Sequence, residues 1–351
     1  MRTRPLLRPA AGPFALLLAL GCGAGPGTSP DAAPGSDLGA PSDGGSVDAA
    51  PARDLGDGAG QGPAGEWLDE PPLPMALQEI AVEVHQGRIW VIGGFVGLTP
   101  VDTVWIYDPG EDEWVPGPSL PAPRHHLSVV SFGDDLYALG GYQTIRFEPL
   151  DTAFVLRDGA DAWTPVRSLP EDRGATAADR VGDVIVLAGG NGRRNTLAER
   201  PLVYEPAMDR WRLGRPIPSP REHLAAAAHD GELWVVAGRR NSLSSNLTAV
   251  EVYDPVADAW RDGPSSPTPR GGFDVAILDG LLYAVGGEPP VRALAEVDRL
   301  DLSAGRWDPV PPVPTPRHGH GVVAFDGRIW VVGGGDEPNF APVDAVESFR
   351  P

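Results

Sequence analysis

The chain contains no lysine. All 28 of its cationic side chains are arginine, set against 48 carboxylates, and the formal net charge is -20. A surface this acidic repels phosphate backbones and anionic headgroups, which excludes nucleic acid as a partner and leaves no charge-driven membrane contact. Cysteine occurs once, as Cys22, so an internal disulfide and any paired-cysteine metal site are excluded. Long apolar runs are also missing. Phe14 to Leu20 is a short one, too short to cross a bilayer as a helix. No phosphate-cradling loop, no Ser-His-Asp order and no other cofactor motif stands out, so no cofactor is expected. Glycine (45) and proline (40) are plentiful instead, which suits a fold of many turns. A length of 351 residues accommodates one large domain or two ordinary ones.

Residues 1–22 resemble an export signal. Arg2, Arg4 and Arg8 form a positive start, followed by the apolar run and then Ala19-Leu20-Gly21-Cys22. This ending resembles the bacterial lipobox, with Ala19 and Leu20 exchanged relative to the usual order. It implies a lipid on Cys22 and a place in the cell envelope, at the outer membrane rather than the inner one. Without the lipid, the same signal implies secretion. Residues 23–64 are Gly, Ala, Pro, Ser and Asp, with six aspartates and one arginine. Such a segment cannot bury enough apolar surface to offset its chain entropy and reads as a solvated tether. The folded head is expected over residues 65–351.

The head is periodic. Tryptophans recur at 67, 114, 163, 211, 260 and 307, a spacing of 47 to 49 residues. Glycine pairs begin at 93, 140, 189, 286 and 333, each 26 residues after its tryptophan, with Ala237-Gly238 at the same offset in the fourth unit. Ten residues after the tryptophan stands Arg124, Arg173, Arg221, Arg270 or Arg317, with Leu77 in the first unit. A period near 50 with these marks denotes a propeller array. The three landmarks resemble the kelch repeat over residues 67–351.

One unit reads as two strands around a tight turn, a longer loop, a third strand, a turn such as Asp108-Pro109 or Asp254-Pro255, and a fourth strand carrying the tryptophan. The sixth unit lacks its tryptophan strand, while Trp67 precedes the first unit. Joining the two closes a ring and removes its open edges. The expected fold is therefore an all-β, six-bladed propeller closed by an N-terminal strand, acting as a monomer.

Strand parity places the long, varied loops after the glycine pairs on one face, together with the entries to the first strands. Loops on a rigid frame are the usual seat of function. The five repeat arginines belong to this face, as do Arg193-Arg194-Asn195 and Arg239-Arg240-Asn241 on adjacent units. Arginine forks suit carboxylates, so an anionic ligand is one reading. The other is that the repeat arginines brace loops or pair with Glu222, Asp336 or Glu337. His126 and His223 occupy matching places, and His318 and His320 alternate as on one strand face. No histidine spacing matches a metal motif, so no metal is expected. Copper oxidases that resemble this family need a cysteine in the propeller, and this head has none.

A binding module for a protein or an anionic glycan is the expected function, with no catalytic residue assigned. The kelch resemblance also implies a sugar epimerase or mutarotase, similar to periplasmic sialic acid epimerases, or a plain scaffold. Candidate contact residues are Arg124, His126, Arg173, Arg193, Arg194, Asn195, Arg221, His223, Arg239, Arg240, Asn241, Arg270, Arg317 and His320. Changing Cys22→Ser removes the only thiol that could accept a lipid, so the variant is expected to leave the membrane fraction. Wild-type protein already soluble on fractionation would contradict the lipid reading.

Overall fold

The computed structural model describes residues 65–351. The export signal, Cys22 and the tether lie outside the described residues. Six four-stranded antiparallel sheets are present among the described residues. Blade one comprises Ala81–His85, Arg88–Ile92, Val104–Asp108 and Glu113–Pro116. The same order repeats through blades two to five, ending at Arg306–Val310. Blade six comprises Gly321–Phe325, Arg328–Val332 and Val346–Arg350, and takes its outer strand, Glu66–Asp69, from the start of the head.

Local sequence explains the strands. Second strands such as Arg88–Ile92 and Val184–Ala188 are short β-branched and aliphatic runs with nearly every residue buried, sandwiched between neighbouring blades. First strands are rich in small residues, as in Ala225–His229, and line the narrow axis. The turns between them are two-residue hairpins. Both central residues are left-handed at Gln86-Gly87, Asp230-Gly231, Asp279-Gly280 and Asp326-Gly327, the backbone that matches strand twist.

Closure is antiparallel and in register, with Trp67 opposite Phe349 and Asp69 opposite Glu347. The Trp67 and Phe349 rings lie 5.2 Å apart. Glu70 accepts hydrogen bonds from Arg328 Nη1 and Ser348 Oγ, each at 2.5 Å, and so ties the first segment of the head to the last.

Three sets of hydrogen bonds run from blade to blade around the whole ring. The first explains the tryptophans. Each indole N–H donates to a carbonyl four residues after the tryptophan of the preceding blade: Trp114 to Pro71, Trp163 to Pro118, Trp211 to Arg167, Trp260 to Arg215, Trp307 to Pro264, and Trp67 to Pro311. The second explains the glycine pairs. The amide of each second glycine donates to the backbone carbonyl at the arginine position of the next blade, as Gly141 does to Arg173 and Gly334 to Leu77. A Cβ on Gly140 would lie 2.5 Å from that Arg173 carbonyl, and its φ is +60, so the close approach and the backbone both require glycine.

The third set lies at the axis. Two residues past each arginine position the chain turns left-handed, at Glu79, His126, Ala175, His223, Gly272 and Gly319. Each of these amides donates to the carbonyl of the equivalent residue in the preceding blade: His126 to Glu79, Ala175 to His126, His223 to Ala175, Gly272 to His223, Gly319 to Gly272 and Glu79 to Gly319. The result is a closed six-membered collar of backbone hydrogen bonds around the channel mouth.

Candidate functional site

The collar opens into an axial cavity of about 330 Å3. Because its six positions are equivalent, their side chains surround the axis. Two are glycine and one is alanine. The other three are Glu79, His126 and His223, whose potential ligand atoms all lie within 4.8 Å of one another. Glu79 Oε2 is 2.9 Å from His126 Nε2, and Glu79 Oε1 is 3.4 Å from His318 Nδ1. Burial pushes the Glu79 carboxyl upward, but His126 and His318 outweigh it and hold the group well below the usual carboxylate range.

Behind the collar each histidine has its own support. His125 is fully buried, stacks on Phe95 with centroids 4.1 Å apart, and sets its Nε2 3.2 Å from the Thr144 carbonyl. Burial, reinforced by His126, pushes its pKa down to about 3, so it is neutral. His125 Nδ1 lies 2.6 Å from His126 Nδ1. His223 Nδ1 faces the Glu222 carboxylate. Glu222 is buried and accepts from Arg239 Nε at 3.1 Å and from the Asn241 amide at 3.2 Å. Arg239 reaches on to Glu288 at 3.0 Å. Burial, and after it Arg239, push the pKa of His223 well down. For His318 burial acts downward, yet Glu79 and Glu288 reverse it and leave the group raised.

Of the two readings of the repeat arginines, the structure supports bracing and removes them from the candidate contact residues. Arg124, Arg173, Arg221, Arg270 and Arg317 are buried inside the blades. Arg270 donates to the carbonyls of Ala284 (3.0 Å) and Gly286 (2.9 Å) and pairs with Asp298. Arg317 donates to Gly333 and Ala345 and pairs with Glu347, while Arg221 pairs with Glu251. Arg124 binds the Gly140 carbonyl and the Thr152 hydroxyl, and Arg173 pairs with Glu171. All but Arg173, which donates to the Arg200 carbonyl, brace the strand ends at the glycine-pair positions, and the partners of the five are not Glu222, Asp336 or Glu337. Arg239 is likewise buried between two carboxylates. Arg193 is exposed and paired with Asp172.

Arg194 and Arg240 are exposed and have no side-chain partner among the described residues, and Asn195 and Asn241 lie beside them. Asn241 Nδ2 donates to the Asn195 carbonyl at 3.0 Å, which joins the two loops as the parity argument requires. His320 is buried in the channel wall beneath the collar. The expected alternation of His318 and His320 does not apply, because Gly319 between them is left-handed and the strand starts only at Gly321. Glu79 carries no local mark in the sequence. It lies 47 residues from His126 and 144 from His223, and only the shared offset from the arginine position could have linked the three. The expectation of no metal rested on short-range spacing, which a site drawn from three blades does not show.

Deeper in the channel, carboxylates from alternate blades cross to the neighbouring first strand. Asp179 accepts from the Ala228 amide at 2.7 Å and Asp274 from the Val322 amide at 2.9 Å. Glu83 occupies the corresponding wall of blade one. Burial raises all three, Asp274 to about 7.

The sequence matches the family description KLHDC2/KLHL20/DRC7 Kelch-repeats domain over residues 128–334, more than half of the chain, and the Kelch motif over residues 79–121. Among curated proteins, Kelch-like protein 40 of Xenopus laevis is 32% identical over 83 residues, covering 24% of this chain and 14% of the relative. Kelch-like protein terF of Aspergillus terreus is 33% identical over 95 residues, covering 24% and 20%. Beta-scruin of Limulus polyphemus is 35% identical over 83 residues, covering 22% and 9%. The match therefore spans a small part of each relative. A solved structure, titled "Structure of YjhT", superposes with a TM-score of 0.68 over 79% of this chain and 96% of that one, at 13% identity, a likeness of fold.

The channel carboxylates yield a pH prediction. With its folded pKa near 7 and an unfolded value near 3.8, Asp274 keeps a proton in the folded state that the unfolded chain has already lost. Its contribution to stability is therefore lost as pH rises from about 4 to about 7. Melting temperature should fall across that window, and Asp274→Asn should flatten the fall without abolishing it, since Glu83 and Asp179 shift the same way. An unchanged slope in the variant would contradict the assignment.

Proposed function

We propose a polypeptide-binding role for the head of this chain, which belongs to the kelch-repeat family. The observation that carries the proposal is the combination of exposed apolar and cationic residues on the long-loop face. Nine large hydrophobic side chains are exposed among the described residues, and six of them stand on these loops: Val96, Leu98, Ile145, Phe147, Val291 and Phe340. They come from blades one, two, five and six. The unpaired cations Arg194 and Arg240 stand on the loops of blades three and four, and a third, Arg146, stands between Ile145 and Phe147 on the loop of blade two. A face that sets exposed apolar anchors beside free arginines suits a polypeptide that joins apolar residues to an acidic stretch. An anionic glycan would use the arginines alone. We also place the head at the cell envelope, tethered through a lipid on Cys22, a reading supported by the N-terminal sequence.

A second reading, the sugar epimerase or mutarotase, is favoured by one observation. Glu79 with His126 and Glu222 with His223 are carboxylate–imidazole pairs at an axial opening, an arrangement able to relay protons. Interconversion of sugar anomers by the purified chain, lost in Glu79→Gln, would support it.

Binding should be measured against peptide libraries graded in charge and apolar content, with sialylated and neutral glycans in parallel, at two salt concentrations. Acidic, apolar peptides are expected to bind. Leu98→Ser with Phe147→Ser should weaken them by about tenfold or more. Arg194→Ser with Arg240→Ser should weaken them less and reduce the salt dependence, while folding stays intact because exposed loop charges contribute little. Glycan binding without peptide binding, or peptide binding untouched by both pairs, would refute the proposal.

A further inference from the structure

We propose that Glu79, His126 and His223 form a binding site for one divalent transition metal ion, of the zinc class, at the channel mouth. The donor set is chemically specific. Two imidazoles and one carboxylate form the ligand set of zinc sites that keep an open coordination position. Calcium and magnesium, which take oxygen donors, do not suit it.

The geometry supplies the convergence. All three side chains leave the backbone from the same left-handed position of three different blades, and the collar of amide hydrogen bonds fixes those positions relative to one another. Left-handed backbone disfavours side chains, and the remaining three positions carry two glycines and an alanine. Their potential donor atoms already lie within 4.8 Å of one another. Ala175, Gly272 and Gly319, at the remaining collar positions, bring at most a methyl group and no donor atom, so a fourth coordination position is left to water from the cavity.

The second layer fixes the tautomers. His125 Nε2 faces the Thr144 carbonyl at 3.2 Å and donates to it, which leaves His125 Nδ1 as an acceptor. His126 Nδ1 lies 2.6 Å from that atom and must carry the proton between them. His126 Nε2 points at a Glu79 oxygen 2.9 Å away, so this edge holds either a proton shared between the two groups or a metal ion in its place. A metal ion that displaces the proton is bound by both groups. His223 Nδ1 is in contact with the Glu222 carboxylate, which leaves Nε2 as the other potential ligand atom of the ring. Glu222 is itself fixed by Arg239 and the Asn241 amide. A carboxylate behind an imidazole is the usual support of a metal-bound histidine. The site would thus hold His126 through one relay, His223 through another, and Glu79 as the charged ligand.

The test uses the purified full chain, stripped with chelator and then titrated with Zn2+ alone, with Co2+ as a spectroscopic probe. One ion per chain is expected, and Co2+ should give the intense visible bands of a four- or five-coordinate site. His126→Ala and His223→Ala should each abolish saturable binding. Glu222→Gln, a positioning change that leaves the three ligands in place, should weaken Zn2+ binding about 10- to 100-fold. His229→Ala, at the far end of its strand, should bind as wild type. If the alanine variants fail to fold, the near-isosteric Glu79→Gln decides, and it should lose the visible bands. Less than one ion per chain, Co2+ bands of a six-coordinate ion, or wild-type affinity in Glu79→Gln would overturn the proposal.

Discussion

The structure depends on the backbone collar at the axis. Each blade contributes one left-handed residue whose amide binds the carbonyl of the blade before it, and the sixth bond, from Glu79 to Gly319, joins the first unit to the last. A blade alone is a four-stranded sheet with two apolar faces, and it gains stability only against neighbours. The collar, the glycine amides and the indole bonds set the angle between neighbours at three radii, and the closing strand Glu66–Asp69 lets all three run without a break. The buried arginines serve the same frame. Four of them bind the carbonyl of the first residue at a glycine-pair position, Arg173 binds the Arg200 carbonyl instead, and three carry a carboxylate partner into the interior. Removing one partner there would leave a buried charge unpaired.

Such a frame releases other positions from structural duty. Once the backbone fixes the collar, the side chains that leave it need not pack, and three of the six are titratable. The long loops are joined to the frame at both ends, so apolar and cationic residues can vary along them without disturbing the ring. The collar and the loop face are therefore two separate places where chemistry can reside on one propeller, a deep polar mouth and a broad outer surface.

The blade count, the closing strand and the loop face were legible in the sequence because they follow from period and parity. The role of the repeat arginines was not. Arg270 and Arg194 read alike as cations on one face, and only the fold shows that Arg270 ends inside a blade against Asp298 while Arg194 ends in solvent. Glu79 was missed for a related reason. Its unit lacks the arginine, and its partners lie one and three blades away, so nothing local marks it. His320 read as pointing the same way as His318, and the left-handed turn at Gly319 breaks the alternation that a strand would give.

The central claim, that six equivalent amides close a ring at the axis, is tested most directly by hydrogen exchange at single-residue resolution. The amides of Glu79, His126, Ala175, His223, Gly272 and Gly319 should exchange slowly and with similar protection, even though the collar lies at an opening to solvent. Fast exchange at Glu79 alongside five slow partners would show that the ring does not close there. Fast exchange at all six would show that no collar holds the blades together.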